Sequence, residues 1–180
     1  MTMKPKWLFR TRHTAIIDVS VVAMILLSSM ALRAQTPTNF SGKWEFDKSK
    51  STPGILDSQY EGTVTRLITQ NASIFTYRDI YVRKGGNVWS TTDESFKLDD
   101  KEQIKKDGAN SRRKSAQWSQ DKKILTLTYK ETYTEEGVSR ELLLVYSYRL
   151  SDDGKTLTLE TFSRNHVTGE TKTQSIYHKK

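Results

Sequence analysis

The fold of this chain is decided by the stretch VSRELLLVYSYRL-SDDGK-TLTLETFS, residues 138–163. In its first half, up to residue 150, successive side chains fall on opposite faces, and one of these faces is apolar, which is the period-2 pattern of a half-buried β-strand. The turn that follows contains Asp153-Gly154, and an Asp-Gly pair tolerates the positive φ angles that a type I′ hairpin turn requires. A second strand returns directly after the turn, so the stretch predicts a long β-hairpin. The apolar face of its first strand contains Leu142, Leu144, Tyr146 and Tyr148.

The same pattern recurs along most of the chain. Segments rich in β-branched and aromatic residues alternate with Gly, Asn and Asp turn signals, and no segment keeps a helical period over three turns. Short sequential hairpins predict a meander, and a long meander closes most readily into a barrel because closure removes the exposed edges. We therefore predict an all-β fold, a single antiparallel up-and-down β-barrel of about 8–10 strands. The predicted strands are Gly42–Phe46, Thr63–Gln70, Ser73–Arg83, Val88–Leu98, Ser111–Ser119, Ile124–Thr134, Val138–Leu150, Thr156–Ser163 and Thr171–Tyr177.

Two segments depart from the strand pattern. Asp99–Asn110 is almost entirely charged or turn-forming and has no apolar face to pack, which predicts a solvated loop or a frayed hairpin tip. Ile55 and Leu56 follow a Pro-Gly pair and favour either a short helical turn that plugs one end of the barrel or a loop contact.

The first 35 residues are predicted to be a secretory signal peptide. A basic start is followed by the apolar run Val19–Leu32 and by a small residue, Ala34, where cleavage is expected. The run is shorter than the roughly 20 residues that span a bilayer, and Asp18 precedes it, so cleavage is favoured over an uncleaved anchor. Residues 36–180 then form one domain, without a stable membrane span. The basic residues before Thr14 that are usual in such a signal are Lys4, Lys6, Arg10 and Arg12.

Cysteine content and charge narrow the class of protein further. The chain has no cysteine, which excludes a lipid-anchored lipoprotein and favours a bacterial periplasmic or secreted protein over a small disulfide-rich eukaryotic domain. A domain of this size buries roughly two thirds of its surface, so its core does not need disulfides. The formal charge of +8 comes partly from the signal, and the remainder is only mildly basic. Neither the charge nor secretion favours a nucleic-acid partner.

The start and the end of the predicted domain carry a family resemblance. Gly42-x-Trp44 lies on the first strand within Asn39–Lys50, and the chain ends with Leu150–Thr158 and Tyr177–Lys180. This combination resembles the lipocalins, or calycin barrels, and in particular the small secreted lipocalin-like proteins of bacteria. The resemblance implies a barrel closed at one end with Trp44 packed across its base. It also implies an arginine over that tryptophan, either Arg149 or Arg164.

Candidate ligand-binding residues come from the aromatic side chains and from the arginines on apolar strand faces. The aromatic residues on the central strands are either the wall of a ligand pocket or ordinary barrel core. An arginine on an inward face is costly unless it is paired, and Arg66, Arg78 and Arg140 each share a face with aliphatic residues. Each either reaches water along its stem or, by analogy with calycins that bind fatty acids, Arg78 or Arg140 holds a ligand carboxylate. The predicted ligand-binding residues are Arg78, Tyr81, Trp89, Arg140, Tyr146 and Tyr148.

The sequence contains no motif for catalysis or metal binding. His166 and His178 have no second ligand at a metal-site spacing, and the chain has neither a cysteine nor a Gly-x-Ser-x-Gly motif. Adjacent acids occur only in predicted turns. We therefore predict no enzyme activity, cofactor or metal, and expect a small hydrophobic or amphiphilic ligand inside the barrel. The alternatives are a filled barrel that acts through its outer surface, as an envelope interaction module or inhibitor, and an enzyme with its site at the open end.

Overall fold

The computed structural model describes residues 35–52 and 62–180. Thr36–Lys180 forms one compact unit, and its described residues contain ten β-strands and one short 3-10 helix, Lys48–Lys50. The predicted signal peptide and the segment with Ile55 and Leu56 lie outside the described residues. The strands are β1 Gly42–Phe46, β2 Gly62–Gln70, β3 Ile74–Arg83, β4 Val88–Lys97, β5 Gln103–Asp107, β6 Asn110–Trp118, β7 Ile124–Glu135, β8 Val138–Leu150, β9 Thr156–Asn165 and β10 Gly169–Lys179.

All ten strands belong to one antiparallel sheet in the order β4-β3-β2-β1-β10-β9-β8-β7-β6-β5. Strands that are neighbours in sequence pair with each other, except β4 and β5, and β1 also pairs with β10, which bends the meander round on itself. The two edge strands are β4 and β5, and at the seam between the two ends of the sheet Lys114 on β6 forms an ion pair with Glu94 on β4. The predicted all-β, up-and-down barrel is therefore confirmed, as a nearly closed ten-stranded barrel.

Of the two alternatives for Asp99–Asn110, the solvated loop is wrong, because the segment contains one arm and the tip of a hairpin, with β5 paired to β6 from Gln103↔Lys114 to Asp107↔Asn110. Four of the five residues of β5 are exposed, and even Ile104 is 53% exposed. A strand without a buried face shows no apolar alternation, so its sequence carries none of the signal on which strand prediction depends.

The core fills one end of the barrel, which we call the base. It packs Phe40, which precedes β1, and Trp44 of β1 against buried residues of β2–β4 and β6–β10. Burial of each large apolar side chain contributes about 1.5–3 kcal/mol to the free energy of unfolding. The buried apolar residues are Phe40, Trp44, Ile68, Phe75, Tyr77, Phe96, Ala116, Leu125, Leu127, Tyr148, Leu157, Leu159 and Tyr177.

Trp44 is the centre of the base, as the resemblance implied, but the cation over it differs. Its side chain is fully buried, and its Nε1 donates a hydrogen bond of 2.9 Å to the carbonyl oxygen of Phe40. Lys179 lies opposite Trp44 in the β1–β10 register, with its Nζ 5.4 Å from the ring centre. The expectation of Arg149 or Arg164 is wrong, because Arg149 is exposed and Arg164 pairs with Glu141.

Gly42 is required by the same arrangement. Its φ of +147° is rarely adopted by residues with a side chain, and a Cβ there would lie 3.1 Å from Lys179 Cε. The Gly-x-Trp motif thus fits one local geometry, in which the backbone passes close beneath the lysine that covers the tryptophan.

Asp47, the residue after β1, makes a contact with His178 of β10 that we predict to be sensitive to acid. Hydrogen bonds from Ser49 and from His178, whose Nε2 lies 2.9 Å from Asp47 Oδ2, hold the pKa of Asp47 well below its usual value. A depressed pKa stabilises the fold above the unfolded pKa of about 4, and this stabilisation is lost as the pH falls. We expect Asp47→Asn to be less stable than the wild type at neutral pH, and the difference to shrink below about pH 4 in urea denaturation. A difference that stays constant down to about pH 2 contradicts this role.

Candidate functional site

The inward-facing side chains divide the barrel into two halves. On β8, Tyr148 is fully buried, whereas Tyr146, Leu144 and Leu142, further along the same face, are only partly buried. On the neighbouring strands, the burial of the inward residues changes at the same level. Inward residues at the base of β7 and β9 are buried, and those beyond residues 127 and 159 are partly exposed. We call the partly exposed half the upper interior and its open end, at the β7–β8 and β9–β10 turns, the mouth.

A buried ion pair lies at the boundary between the two halves. Arg66 on β2 and Asp79 on β3 are cross-strand partners, and both are about 95% buried. Arg66 Nε donates to Asp79 Oδ1 and Nη2 donates to Oδ2, each at 2.6 Å. The remaining terminal nitrogen, Nη1, donates to the hydroxyl of Tyr148 at 3.0 Å. The guanidinium is therefore held by a two-point contact of the strongest kind.

Tyrosine rings surround this pair. The Arg66 guanidinium carbon lies 4.6 Å from the ring centre of Tyr77 and 5.4 Å from that of Tyr177. Burial raises the pKa of Tyr77 and Tyr148 far above the usual range, and it raises the pKa of Tyr81 to about 12. Burial also raises the pKa of Tyr146. The floor of the upper interior thus presents phenols that stay uncharged at neutral pH.

Charged pairs line the wall of the upper interior beside the seam. Arg112 Nη2 donates to Glu131 Oε1 at 2.8 Å, and Tyr129 Oη donates to the other carboxylate oxygen of Glu131 at 2.8 Å. Burial opposes the charge on Glu131, but the bonds from Arg112 and Tyr129 outweigh it and lower its pKa. Lys114, paired with Glu94, lies 5.3 Å from the ring centre of Phe96. Each of these cations therefore has an acidic partner.

A further polar group lies at the mouth. Glu135 Oε2 is 3.6 Å from Arg140 Nε and 3.2 Å from His166 Nε2, and Tyr133 Oη is 3.4 Å from His166 Nδ1. Within the described part of the chain, the buried side-chain polar atoms that lack a hydrogen bond are Arg140 Nε and Gln103 Nε2. Both side chains lie on strands that border the upper interior.

Four of the predicted site residues lie along the interior, although they do not converge on one point. Tyr148 is in the base and Tyr146 is directly above it, with its ring centre 6.4 Å from that of Tyr77. Tyr81 is partly buried on the inward face of β3, and Arg140 lies at the mouth. Trp89 is in β4 next to the irregular register between Tyr81 and Val82.

The expected inward placement of Arg78 is wrong. Phe75, Tyr77 and Asp79 point inward on β3, so Arg78 points outward, where it is 55% exposed and its Nε lies 2.5 Å from Asp93 Oδ1. Ile74, which shares the outer face, is 40% exposed. Both faces of β3 carry apolar residues, and the sequence alone does not show which face is inside.

The pair Arg66–Asp79 was missed by sequence analysis, which did not consider Asp79 and assigned no ligand-binding role to Arg66. The signal was present on one face of each of two adjacent predicted strands, where Arg66 lies among aliphatic residues and Asp79 lies among aromatic residues. Such a combination is expected when two charges are buried together, because neither is tolerated inside alone.

No protein-family model and no curated protein matches the sequence of this chain. Among residues 35–52 and 62–180, no helix is long and apolar enough to cross a membrane. The same residues contain no group of three or more His, Cys, Asp or Glu placed to hold a metal ion.

Proposed function

We propose that this protein is a non-catalytic, secreted or periplasmic lipocalin-like carrier that binds a small hydrophobic or amphiphilic molecule in the upper interior of its barrel. The observation that supports this proposal is the change in side-chain burial along the inward faces of β7, β8 and β9. Inward side chains are fully packed at the base and partly exposed above it. Partly exposed inward residues such as Leu142 and Leu144 bury their apolar surface when a ligand covers them.

The composition of the upper interior suits such a ligand. Small-molecule sites are lined mostly by apolar and aromatic side chains, with a few polar groups that fix orientation. Leu142, Leu144, Tyr129 and Tyr146 provide the apolar and aromatic surface. The polar groups are the phenol hydroxyls at the floor and the ion pairs at the seam. From Tyr146 to Arg140 the inward face of β8 extends for about 20 Å, at roughly 3.4 Å per residue.

The second candidate function is an interaction module that acts through the outer surface. Outward-facing Val145 and Phe162 are cross-strand partners on β8 and β9, and they line a shallow groove together with Thr52, Lys172 and Gln174. The groove has a volume of about 400 Å³. It supports this alternative because apolar residues on an outer face favour a protein contact.

A pair of tryptophan substitutions distinguishes the two functions. Leu144 points into the upper interior and Leu143, its neighbour in sequence, points outward. We expect the wild type to bind the neutral fluorescent probe N-phenyl-1-naphthylamine saturably. We expect Leu144→Trp to weaken this binding by about tenfold or more, since the indole fills the space of the probe, and Leu143→Trp to leave it within about twofold.

Far-UV circular dichroism of both variants serves as the control for folding. If the wild type does not bind the probe, or if Leu143→Trp weakens binding as much as Leu144→Trp, the interior site is refuted. The second of these results moves the site to the outer face.

A further inference from the structure

We propose that the ligand carries an uncharged, hydrogen-bonding head group and that the barrel discriminates against carboxylates. This inference rests on the proposed function, since it names the chemical class of molecule that the upper interior accepts. It departs from the expectation that an interior arginine holds a ligand carboxylate.

The charge of Arg66 is already neutralised by the protein. Both carboxylate oxygens of Asp79 accept hydrogen bonds from the Arg66 guanidinium at 2.6 Å, and the hydroxyl of Tyr148 accepts one from its other terminal nitrogen. A ligand carboxylate at this point would lie beside the carboxylate of Asp79, and two carboxylates that share one site repel each other strongly. It would also lose its hydration without gaining a free cation, which is costly in a buried site.

Three further bases on the inward faces of the barrel also have an acidic neighbour. Lys114 pairs with Glu94, and Arg112 pairs with Glu131. At the mouth, the nitrogen of Arg140 that lacks a hydrogen bond lies 3.6 Å from Glu135. An anion entering along this wall therefore meets a carboxylate next to every one of these bases.

The neutral groups, in contrast, are placed to bind a neutral head group. Tyr77 and Tyr146 lie at the floor, with ring centres 6.4 Å apart, and each carries a neutral phenol hydroxyl that can donate a hydrogen bond. Gln103 Nε2 is buried and has no hydrogen-bond partner. Phenol and amide donors pair with a carbonyl, ester or hydroxyl oxygen and do not require a charge on the ligand.

The test compares three molecules with the same alkyl chain: dodecanoic acid, 1-dodecanol and methyl dodecanoate. Each displaces N-phenyl-1-naphthylamine from the wild-type protein at about pH 8, where the acid is ionised. We expect the alcohol and the ester each to bind at least about tenfold more tightly than the acid. Acid affinity equal to or greater than that of the alcohol overturns the inference and leaves the proposed function standing. If none of the three binds, the proposed function fails and the inference fails with it.

A single substitution tests the cause of the discrimination. Asp79→Asn removes the carboxylate and leaves the charge of Arg66 unneutralised, so we expect the acid to gain about tenfold or more relative to the alcohol. The matched control is Asp93→Asn, which removes the partner of the exposed Arg78 on the next strand pair and should leave the ratio unchanged. A folded Asp79→Asn protein with the wild-type ratio contradicts the assigned role of Asp79. If this variant does not fold, the wild-type comparison of acid and alcohol decides the inference alone.

Discussion

Replacing Asp79 with alanine is expected to lower the free energy of unfolding by about 3–5 kcal/mol, because it leaves the buried Arg66 charge without a partner. The guanidinium is held at 2.6 Å by both carboxylate oxygens, and its side chain is only 6% exposed. The substitution therefore leaves a buried, charged guanidinium without either of these contacts. Urea denaturation followed by far-UV circular dichroism measures the change.

The outer face provides a matched control for this prediction. Arg78 and Asp93 form the same kind of cross-strand pair between β3 and β4, but their side chains are more than half exposed. Asp93→Ala should therefore cost no more than about 1 kcal/mol. Equal losses for Asp79→Ala and Asp93→Ala would mean that the interior pair is not buried as described.

A double substitution separates stability from binding. Replacing a buried ion pair by apolar residues of similar size is often neutral or stabilising, so Arg66→Met with Asp79→Leu should recover most of the stability lost in Asp79→Ala. Recovered stability would show that the pair is not needed for folding, which leaves discrimination against carboxylate ligands as its role. A double variant as unstable as Asp79→Ala would instead assign the pair a structural role.

The second large effect is expected at the base. Trp44→Ala should lower the free energy of unfolding by about 3–5 kcal/mol, because it leaves a large cavity at the centre of the core. Trp44 is fully buried, and Lys179 lies over its ring. Far-UV circular dichroism is the appropriate signal for the denaturation, since the substitution removes a fluorophore.

The graded control for this prediction is Trp44→Phe. It keeps an aromatic ring in the base but removes the hydrogen bond from Nε1 to the carbonyl oxygen of Phe40. Its loss should be smaller than that of Trp44→Ala and close to the cost of leaving one buried acceptor unpaired, about 1–3 kcal/mol. A loss below about 1 kcal/mol for Trp44→Ala would contradict the placement of Trp44 in a packed core.

How much of this fold is readable from the sequence depends on whether a strand has one clearly apolar face. β8 is predicted correctly, from Val138 to Leu150, because Leu142, Leu144, Tyr146 and Tyr148 alternate with its other residues and a strong turn follows. β5 is hidden because four of its five residues are exposed. Its position is fixed by main-chain pairing with β6, which leaves no trace in side-chain polarity.

The candidate site is less predictable, because it depends on strand register and on which face of a strand is inside. Arg78 and Arg66 both share a face with aliphatic residues in the sequence, but only Arg66 points inward, opposite Asp79. Lys179 covers Trp44 because the β1–β10 register places the two residues opposite each other. Long-range pairings of this kind cannot be read from a single strand, whereas the placement of Tyr146 and Tyr148 on one face of β8 follows from alternation alone.

The most direct test of the central claim, that a small molecule binds in the upper interior, is methyl NMR of the leucine-labelled protein titrated with 1-dodecanol. We predict saturable shifts of the Leu142 and Leu144 methyl signals, with little change at outward-facing Leu143 and at Leu125 in the base. Shifts confined to Leu143, or no saturable shift at Leu142 and Leu144, would contradict the account.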